Sequence, residues 1–407
     1  MIAAATAHGV VRRMEGAPVV ALRVVLPGGA RREATPGLAL VTGRMLGEGT
    51  RRRDWRTLAL AAEERGITVA GYGGLESHGV AVDALASDWE RALELAAELL
   101  FEPAFPTQRV DWVARHAAAE LEAEADQADV LTGRAFAELL YGSHPKGRPL
   151  QGDAASLAAL ESAHCRSFHD AALARGGYVV VAGEVEPDAV DAALARTFGG
   201  LQRPGGEPFA PPAPPPPGPR RRELRTRARD QAHLLVGALT VDRADPDFEA
   251  LELAGVALGA GAGLSGRIPA RVRDREGLAY SAWADLVSGA GLDAGRFAAY
   301  VGTAPKSLAR AEAAVREELF RLLVDGLPAR ELDEARSYLL GREPFRRETA
   351  RQWAELTAQG LVQELPLADE PWRRGRIESV GREAVDAALR RHLDPERLAV
   401  AVGLPAR

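Results

Sequence analysis

Cysteine is almost absent. Cys165 is the single one in 407 residues, which excludes an internal disulfide and any cysteine-built zinc cluster, and it suits a reducing compartment, so the cytoplasm is the expected setting. Lysine is nearly as scarce, with only Lys146 and Lys306. The basic total of 51 is otherwise arginine and is outnumbered by 57 acidic residues, for a formal charge of −6. No basic surplus of the kind a phosphate-binding surface needs is present, so nucleic acid is not an expected partner. No run of about 18 apolar residues occurs, and the opening MIAAATAHGVVRRMEG sets a short apolar start before its arginines, the reverse of a signal peptide; neither membrane insertion nor export is expected. What is present is apolar material, 46% of the chain, enough for a packed core in each of the two or three domains that roughly 100–200 residues per domain allows.

Proline supplies the clearest punctuation. Residues 204–219, PGGEPFAPPAPPPPGP, remove backbone donors and favour extended polyproline geometry, and so form a semi-rigid linker. It separates a domain at 1–203 from one at 220–407. Near-equal halves invite a search for a repeat, and an offset of 222 aligns residues 78–106 with 300–328 without a gap. Each segment reads as strand, amphipathic helix and turn. Trp89, Leu93, Ala96, Ala97 and Leu100 share one helix face, and Leu308, Ala311, Val315, Leu319 and Leu322 share another. GYVVVAGE (177–184) and RLAVAVGL (397–404) look like equivalent buried strands, as do PVVALRVVL (18–26) and HLLVGALTV (233–241). The expected fold is α+β: two similar domains, each a mostly antiparallel sheet covered by helices.

The segment PGLALVTGRMLGEGT (36–50), preceded by LPGGARREA, resembles the zinc-site helix of the pitrilysin-like metallopeptidases, the inverzincins, whose signature is H-x-x-E-H. Residues four apart share a helix face, so two histidines bind one Zn²⁺ while the glutamate between them serves as general base. In this sequence the histidine positions are Leu40 and Arg44 and the base position is Gly43. Leucine has no donor atom, glycine has no carboxylate, and arginine is a fixed cation where a divalent ion would sit. The resemblance implies a distal glutamate ligand on a later helix, and Glu120, 76 residues after Arg44, falls about there; it also reads as a solvated helix residue beside Glu122 and Glu124. No zinc is expected in this chain, although restoring all three lost residues would be expected to recover it if Glu120 stands where the ligand should.

No other residues rebuild a metal site. The closest histidine pair, His164 and His169, is turned roughly 140° apart on a helix. His8, His78, His116, His144, His164, His169, His233 and His392 are each expected to be structural or superficial. Cys165 adjoins His164, but neighbouring helical residues do not face each other, and a buried, inert thiol is expected. GAGAGLSG (259–266) lacks the GK[ST] ending of a phosphate loop and reads as a turn before a helix. The triplets Arg51-Arg52-Arg53 and Arg220-Arg221-Arg222 read as solvated surface, with partner docking or pairing to EAEAD (122–126) as alternatives.

The second half keeps a different motif of the same family. GAGAGLSGRIPARVRDREGLAYSAW (259–283) closely resembles the C-terminal motif of the same family, an arginine followed seven residues later by a tyrosine, here Arg273 and Tyr280. The resemblance implies that this pair acts in trans on a zinc site held by a partner, contacting substrate backbone and stabilising the oxyanion, as donors aimed at developing negative charge can. It extends over nearly the whole chain, including YGSHPKGRPLQG (141–152). Loss of the zinc motif with retention of Arg273 and Tyr280 is similar to the non-catalytic subunit of the heterodimeric bacterial branch. A homologous H-x-x-E-H subunit holding the zinc, and a peptide substrate, are thus the implied partners. The alternative is a non-enzymatic scaffold of the same fold: a structural or peptide-binding protein, or a homodimeric peptide-maturation factor. Residues around Gly71 to Gly74 are expected to offer a strand edge to an extended substrate.

Overall fold

Valine-rich runs and short glycine turns build two mixed sheets. A computed structural model describes every residue except 1–3, 6–7, 206–208, 228–229, 262–265 and 407. Part of the glycine-rich turn at 259–266 therefore lies outside the described residues. The first sheet contains β1 (Ala4–Ala5), β2 (Val10–Arg13), β3 (Val19–Pro27), β4 (Thr68–Gly73), β5 (Ser77–Leu85) and β6 (Tyr178–Gly183), in the order β1-β2-β6-β3-β5-β4. The second contains β7 (Arg220–Thr226), β8 (Ala232–Leu239), β9 (Ala279–Ser288), β10 (Arg296–Thr303) and β11 (Ala399–Pro405), in the order β7-β11-β8-β10-β9. Among the described residues, β2–β6 and β7–β11 pair in parallel and the other strand pairings are antiparallel. The two sheets thus share one strand order, as a duplication requires, and the four expected buried strands are β3, β6, β8 and β11.

The chain divides into two compact units. One comprises Met1–Leu121, Pro149–Pro211 and Phe345–Asp369; the other comprises Glu122–Arg148, Pro212–Pro344 and Glu370–Arg407. Each unit therefore takes a helix from the opposite half of the sequence. Helix Ala350–Gln363 packs across β3 and β6 in the N-terminal unit, and helix Ala128–Tyr141 packs across β11, β8 and β7 in the C-terminal one.

The helices covering the other face of each sheet carry the faces read from the sequence. In helix Trp89–Phe101, Leu93, Ala96 and Leu100 are fully buried against β3 residues such as Leu22 and Val24. In helix Leu308–Asp325, Ala311, Val315, Leu319 and Leu322 are fully buried, while Leu308 is only partly covered. Each large side chain so buried contributes about 1.5–3 kcal/mol relative to exposure. Proline-rich residues 204–219 form neither helix nor strand where described, and Arg32 lies over Phe209 at 4.5 Å. Among the described residues, no helix is long and apolar enough to cross a membrane.

One buried polar group stands out in the N-terminal core. His78 on β5 is wholly buried against Phe168 and His169, with centroids at 5.1 and 5.7 Å, and neither ring nitrogen has a hydrogen-bond partner among the described residues. His169 directs Nε2 to the Leu100 carbonyl at 2.7 Å. Burial, reinforced by His169 and Arg175, pushes the His78 pKa down to about 3, so the folded protein holds it neutral. The unfolded chain accepts that proton near pH 6.5. It therefore binds more protons than the folded chain between these values, and stability falls as pH falls. At pH 5 the loss is about 2 kcal/mol. Thermal melts from pH 7.5 to 5 are expected to show a falling melting temperature in the native chain and a shallower fall in His78→Leu; parallel slopes would remove His78 as the cause.

Candidate functional site

Helix Leu38–Met45 carries the degenerate zinc positions, and its start is fixed by Glu33, whose carboxylate accepts from the Gly37 and Ala39 N–H groups at 3.2 and 2.9 Å. A carboxylate at a helix N-terminus satisfies unpaired donors and complements the dipole. Leu40 is 7% exposed and belongs to the core. Gly43 lies directly on β4: a Cβ added there would stand 2.1 Å from the Tyr72 carbonyl oxygen and 2.4 Å from the Gly73 nitrogen. The contact is reciprocal, because a Cβ at Gly73 would meet the Ala39 carbonyl at 2.0 Å and one at Gly71 the Gly43 carbonyl at 2.2 Å. Helix backbone and strand backbone touch through three glycines, and no side chain fits at position 43 while they do.

Arg44 and Glu120 are brought together across the 76 residues that separate them. Arg44 Nη2 donates to Glu120 Oε2 at 3.0 Å, with both side chains about one-third exposed, and His116 Nε2 lies 3.5 Å from Glu120 Oε1. Glu120 is thus held by Arg44 and His116, unlike the exposed Glu122. The contacts continue along helix Thr107–Glu124: His116 stacks on Trp112 at 5.4 Å and 4°, and Arg109 lies 4.3 Å over Trp112 and 4.8 Å over Trp55. Arg109 Nε in turn donates to Glu48 at 2.6 Å. A guanidinium, a core leucine and a glycine sealed by backbone do not fit a zinc ion, and no chemistry in this chain is derived through one. The sole grouping of three ligand-type side chains among the described residues is Asp245, Asp247 and His392 in the C-terminal unit, where Asp247 already pairs with His392 and Arg391.

Arg273 and Tyr280 belong to the C-terminal unit. Arg273 lies in a π-helical turn, Ala270–Arg275, of which Arg271 is anchored inward: it is buried and donates to Glu276 at 2.6 Å, to Glu318 at 2.7 Å and to Glu317. Arg273 is instead about one-quarter exposed and binds Asp274 through Nε at 2.8 Å and Nη2 at 3.4 Å. That hydrogen bond raises the Arg273 pKa, with a weaker contribution from the neighbouring Tyr280, so the group is permanently charged. Tyr280 follows on edge strand β9. Gly302 pairs with Ser281 and Thr303 with Ala279, which leaves Tyr280 as the extra residue of a β-bulge. Ala282, Ala284 and Leu286 on the same strand turn into the core, whereas Tyr280 is 93% exposed. Bulges re-aim a side chain in this way, and both they and π-turns concentrate at functional sites.

The remaining candidates have structural roles. Burial raises the Cys165 thiol. His164 accepts from the Glu161 N–H at 3.1 Å in a capping box. Arg52 binds Glu102, Arg53 lies 3.4 Å from Glu98, Arg221 binds Glu312 and Arg222 binds Glu138, so four of the six triplet arginines pair with carboxylates of the same chain. The acidic stretch pairs elsewhere, Glu124 with Arg134 and Asp126 with Arg227. Sequence reasoning missed Lys146, whose Nζ donates to the Gly289, Asp293 and Ala294 carbonyls at 2.7–2.9 Å and ties down the loop between β9 and β10. It also missed the sealing of Gly43, for which the recurring glycines at 43, 47, 71 and 73 were the available signal.

Comparison with known proteins agrees with this combination of duplicated fold and degenerate helix. The chain belongs to the pitrilysin-like peptidase family M16: residues 10–154 match the family described as insulinase (peptidase family M16), and residues 177–339 match the peptidase M16 inactive domain. An uncharacterized zinc protease of Mycobacterium leprae is 30% identical over 273 residues, 66% of this chain and 60% of that protein. A Helicobacter pylori protein described as a non-peptidase homolog is 23% identical over 371 residues, 90% of this chain and 84% of its own. The crystal structure of a peptidase M16 inactive domain from Pseudomonas fluorescens shares the fold with a TM-score of 0.87 at 23% identity, covering 100% of this chain and 98% of that one. The chain spans less than two thirds of the length of the Mycobacterium leprae relative.

Two outcomes are expected at the sealed helix. Gly43→Ala should lower stability by about 1–3 kcal/mol through overpacking, measured by urea unfolding. The triple variant Leu40→His, Gly43→Glu, Arg44→His should fail to retain zinc after dialysis, because the glutamate has no space. One zinc per chain in that variant would show that the helix can lift from β4.

Proposed function

We propose that this chain is the non-catalytic subunit of a heterodimeric zinc endopeptidase of the cytoplasm that cleaves unfolded peptides. The partner subunit carries H-x-x-E-H and the zinc, and supplies the base and the nucleophilic water. This chain supplies Arg273 and Tyr280 as donors to the substrate backbone and to the oxyanion of the tetrahedral intermediate, together with part of the surface along which an extended peptide lies. The observation that carries the reading is the β-bulge at Tyr280. A phenol turned out of an otherwise core-facing strand serves no packing purpose in its own unit, and the adjacent permanently charged Arg273 complements it. A guanidinium and a phenol aimed at an oxygen that gains negative charge stabilise the transition state more than the ground state. Asp274 holds the guanidinium until a substrate oxygen competes for it.

A second reading, a non-enzymatic scaffold or peptide-binding protein, is favoured by the sealed Gly43 contact and the Arg44–Glu120 pair. Both suit a protein in which the zinc helix has become purely structural. Retention of an exposed Tyr280 beside Arg273 weighs against it.

Hydrolysis of a quenched-fluorescent unstructured peptide separates the two. Activity is expected only when this chain is mixed with an H-x-x-E-H-bearing homologue, and not with either alone. Arg273→Ala or Tyr280→Phe should then lower kcat by about 10²–10³ with assembly unchanged, the loss associated with removing one oxyanion donor. Unchanged turnover would remove the assigned roles, and silence of the mixture would favour the scaffold.

A further inference from the structure

The face of the N-terminal sheet opposite the zinc helix is only half covered. Helix Ala350–Gln363 lies over β3 and β6, which leaves the outer strands β5 and β4 as an open shelf. Residues Ala70 and Tyr72 of β4 point to this shelf, since Gly71 and Gly73 between them face helix Leu38–Met45. Across the sheet Ala70 pairs with Ala81, and Ala81 with Arg23. The Tyr72 ring folds back over Gly79, where a Cβ would come within 3.2 Å of its hydroxyl. Between shelf and helix is a pocket of about 370 Å³ lined by Val25, Tyr72, Ala81, Glu355, Ala358 and Val362. This lies in the range of small-ligand sites, roughly 300–1,000 Å³. Its charges are already spent at the rim: Arg23 donates to Asp83 and Glu355, each at 3.0 Å, and Glu76 accepts from Gln363 at 2.9 Å. The rest of the lining is mostly apolar, with Ser77 and Gln359 as its uncharged polar members.

The C-terminal sheet carries larger side chains on its corresponding outer strands. There the row Leu235, Tyr300 and Trp283 crosses β8, β10 and β9, the strands that correspond in order to β3, β5 and β4. Tyr300 and Trp283 stack at 5.9 Å and 18°, and the Tyr300 hydroxyl bonds His233 at 2.8 Å. The corresponding outer strands thus carry two stacked aromatic rings in one unit and alanines in the other. The open shelf ends at β4, the last strand of its sheet, whose outward N–H and C=O groups can pair with an added strand. In such a strand every second side chain would project on the side of Ala70 and Tyr72.

We propose that the pocket between β5, Tyr72 and helix Ala350–Gln363 is a specificity subsite that takes one large uncharged apolar side chain, of leucine or phenylalanine size, from an extended peptide paired to β4. This rests on the reading that the chain contacts peptide substrate. Residues two positions away along the peptide point to the same face, so a leucine preference at a single position is the signature.

Fluorescence anisotropy of labelled Ser/Thr-rich peptides with the full chain tests it. A leucine guest should bind roughly 10- to 100-fold tighter than a serine guest, the ratio for burying one such side chain. Alternate N-methylation of the leucine peptide should abolish binding. Ala81→Tyr, which fills the pocket from the sheet, and Ala358→Trp, which fills it from the helix, should each reduce the leucine guest to the serine level while leaving the serine guest unchanged. Variants are compared only if their melts remain cooperative, and either one suffices. Equal binding of both guests, or an unaffected preference in the filled variants, would overturn the subsite and leave peptide contact standing. Tight binding of the N-methylated peptide would overturn strand addition. No binding of either guest would overturn both the subsite and the peptide-contacting role.

Discussion

Backbone lies on backbone where helix Leu38–Met45 crosses β4, and the N-terminal unit is organised around that contact. Close approach through Gly43, Gly71 and Gly73 sets the depth of the helix, buries Leu40 in the core, and brings Arg44 to Glu120. Every feature that distinguishes this helix from a zinc-binding one follows. A general base would require a side chain at the one position where the packing admits none, and the divalent cation is replaced by a guanidinium that pairs with a single carboxylate. The pair, about one-third exposed, adds little stability by itself, about 0–1 kcal/mol. Its effect is on identity: a site that would have bound metal is a closed, neutralised surface.

Duplication gives the second lever. Two sheets with the same strand order present the same structural positions twice, and the units differ in what occupies them. The N-terminal unit seals its helix with glycines, whereas in the C-terminal unit helix Phe248–Gly255 is fixed by buried charge, with Glu249 accepting from Arg243 at 3.0 Å and Arg373 at 2.9 Å. Tyr300 and Trp283 stack on the outer strands of one sheet, where the other carries alanines. The exposed Tyr280 is a product of the same economy, since one extra residue in β9 turns a core-facing position outward without altering the strand order.

Periodicity made much of the fold legible. The helix faces centred on Leu93 and Val315 and the strands rich in valine depend on local pattern, and local pattern is what burial selects. Arg273, Tyr280, Leu40, Gly43, Arg44 and Glu120 could be named because motif spacing survives even where chemistry is lost. Other features had no local signal. An amphipathic stretch such as 128–141 does not state which sheet it will cover. His78 looked like any other histidine, because its isolation depends on Phe168 and His169, some 90 residues away in sequence. Gly43 was read as an absent carboxylate, whereas its meaning lies in the carbonyl of Tyr72, a contact visible only once helix and strand are placed together.

The most direct measurement is the metal content of the native chain, purified without chelators, dialysed against zinc and then against metal-free buffer, and assayed by atomic emission. A helix sealed on β4, with arginine at a ligand position, retains no stoichiometric zinc. One tightly held zinc per chain would contradict the account, because it would require ligands or a helix position that this structure does not contain.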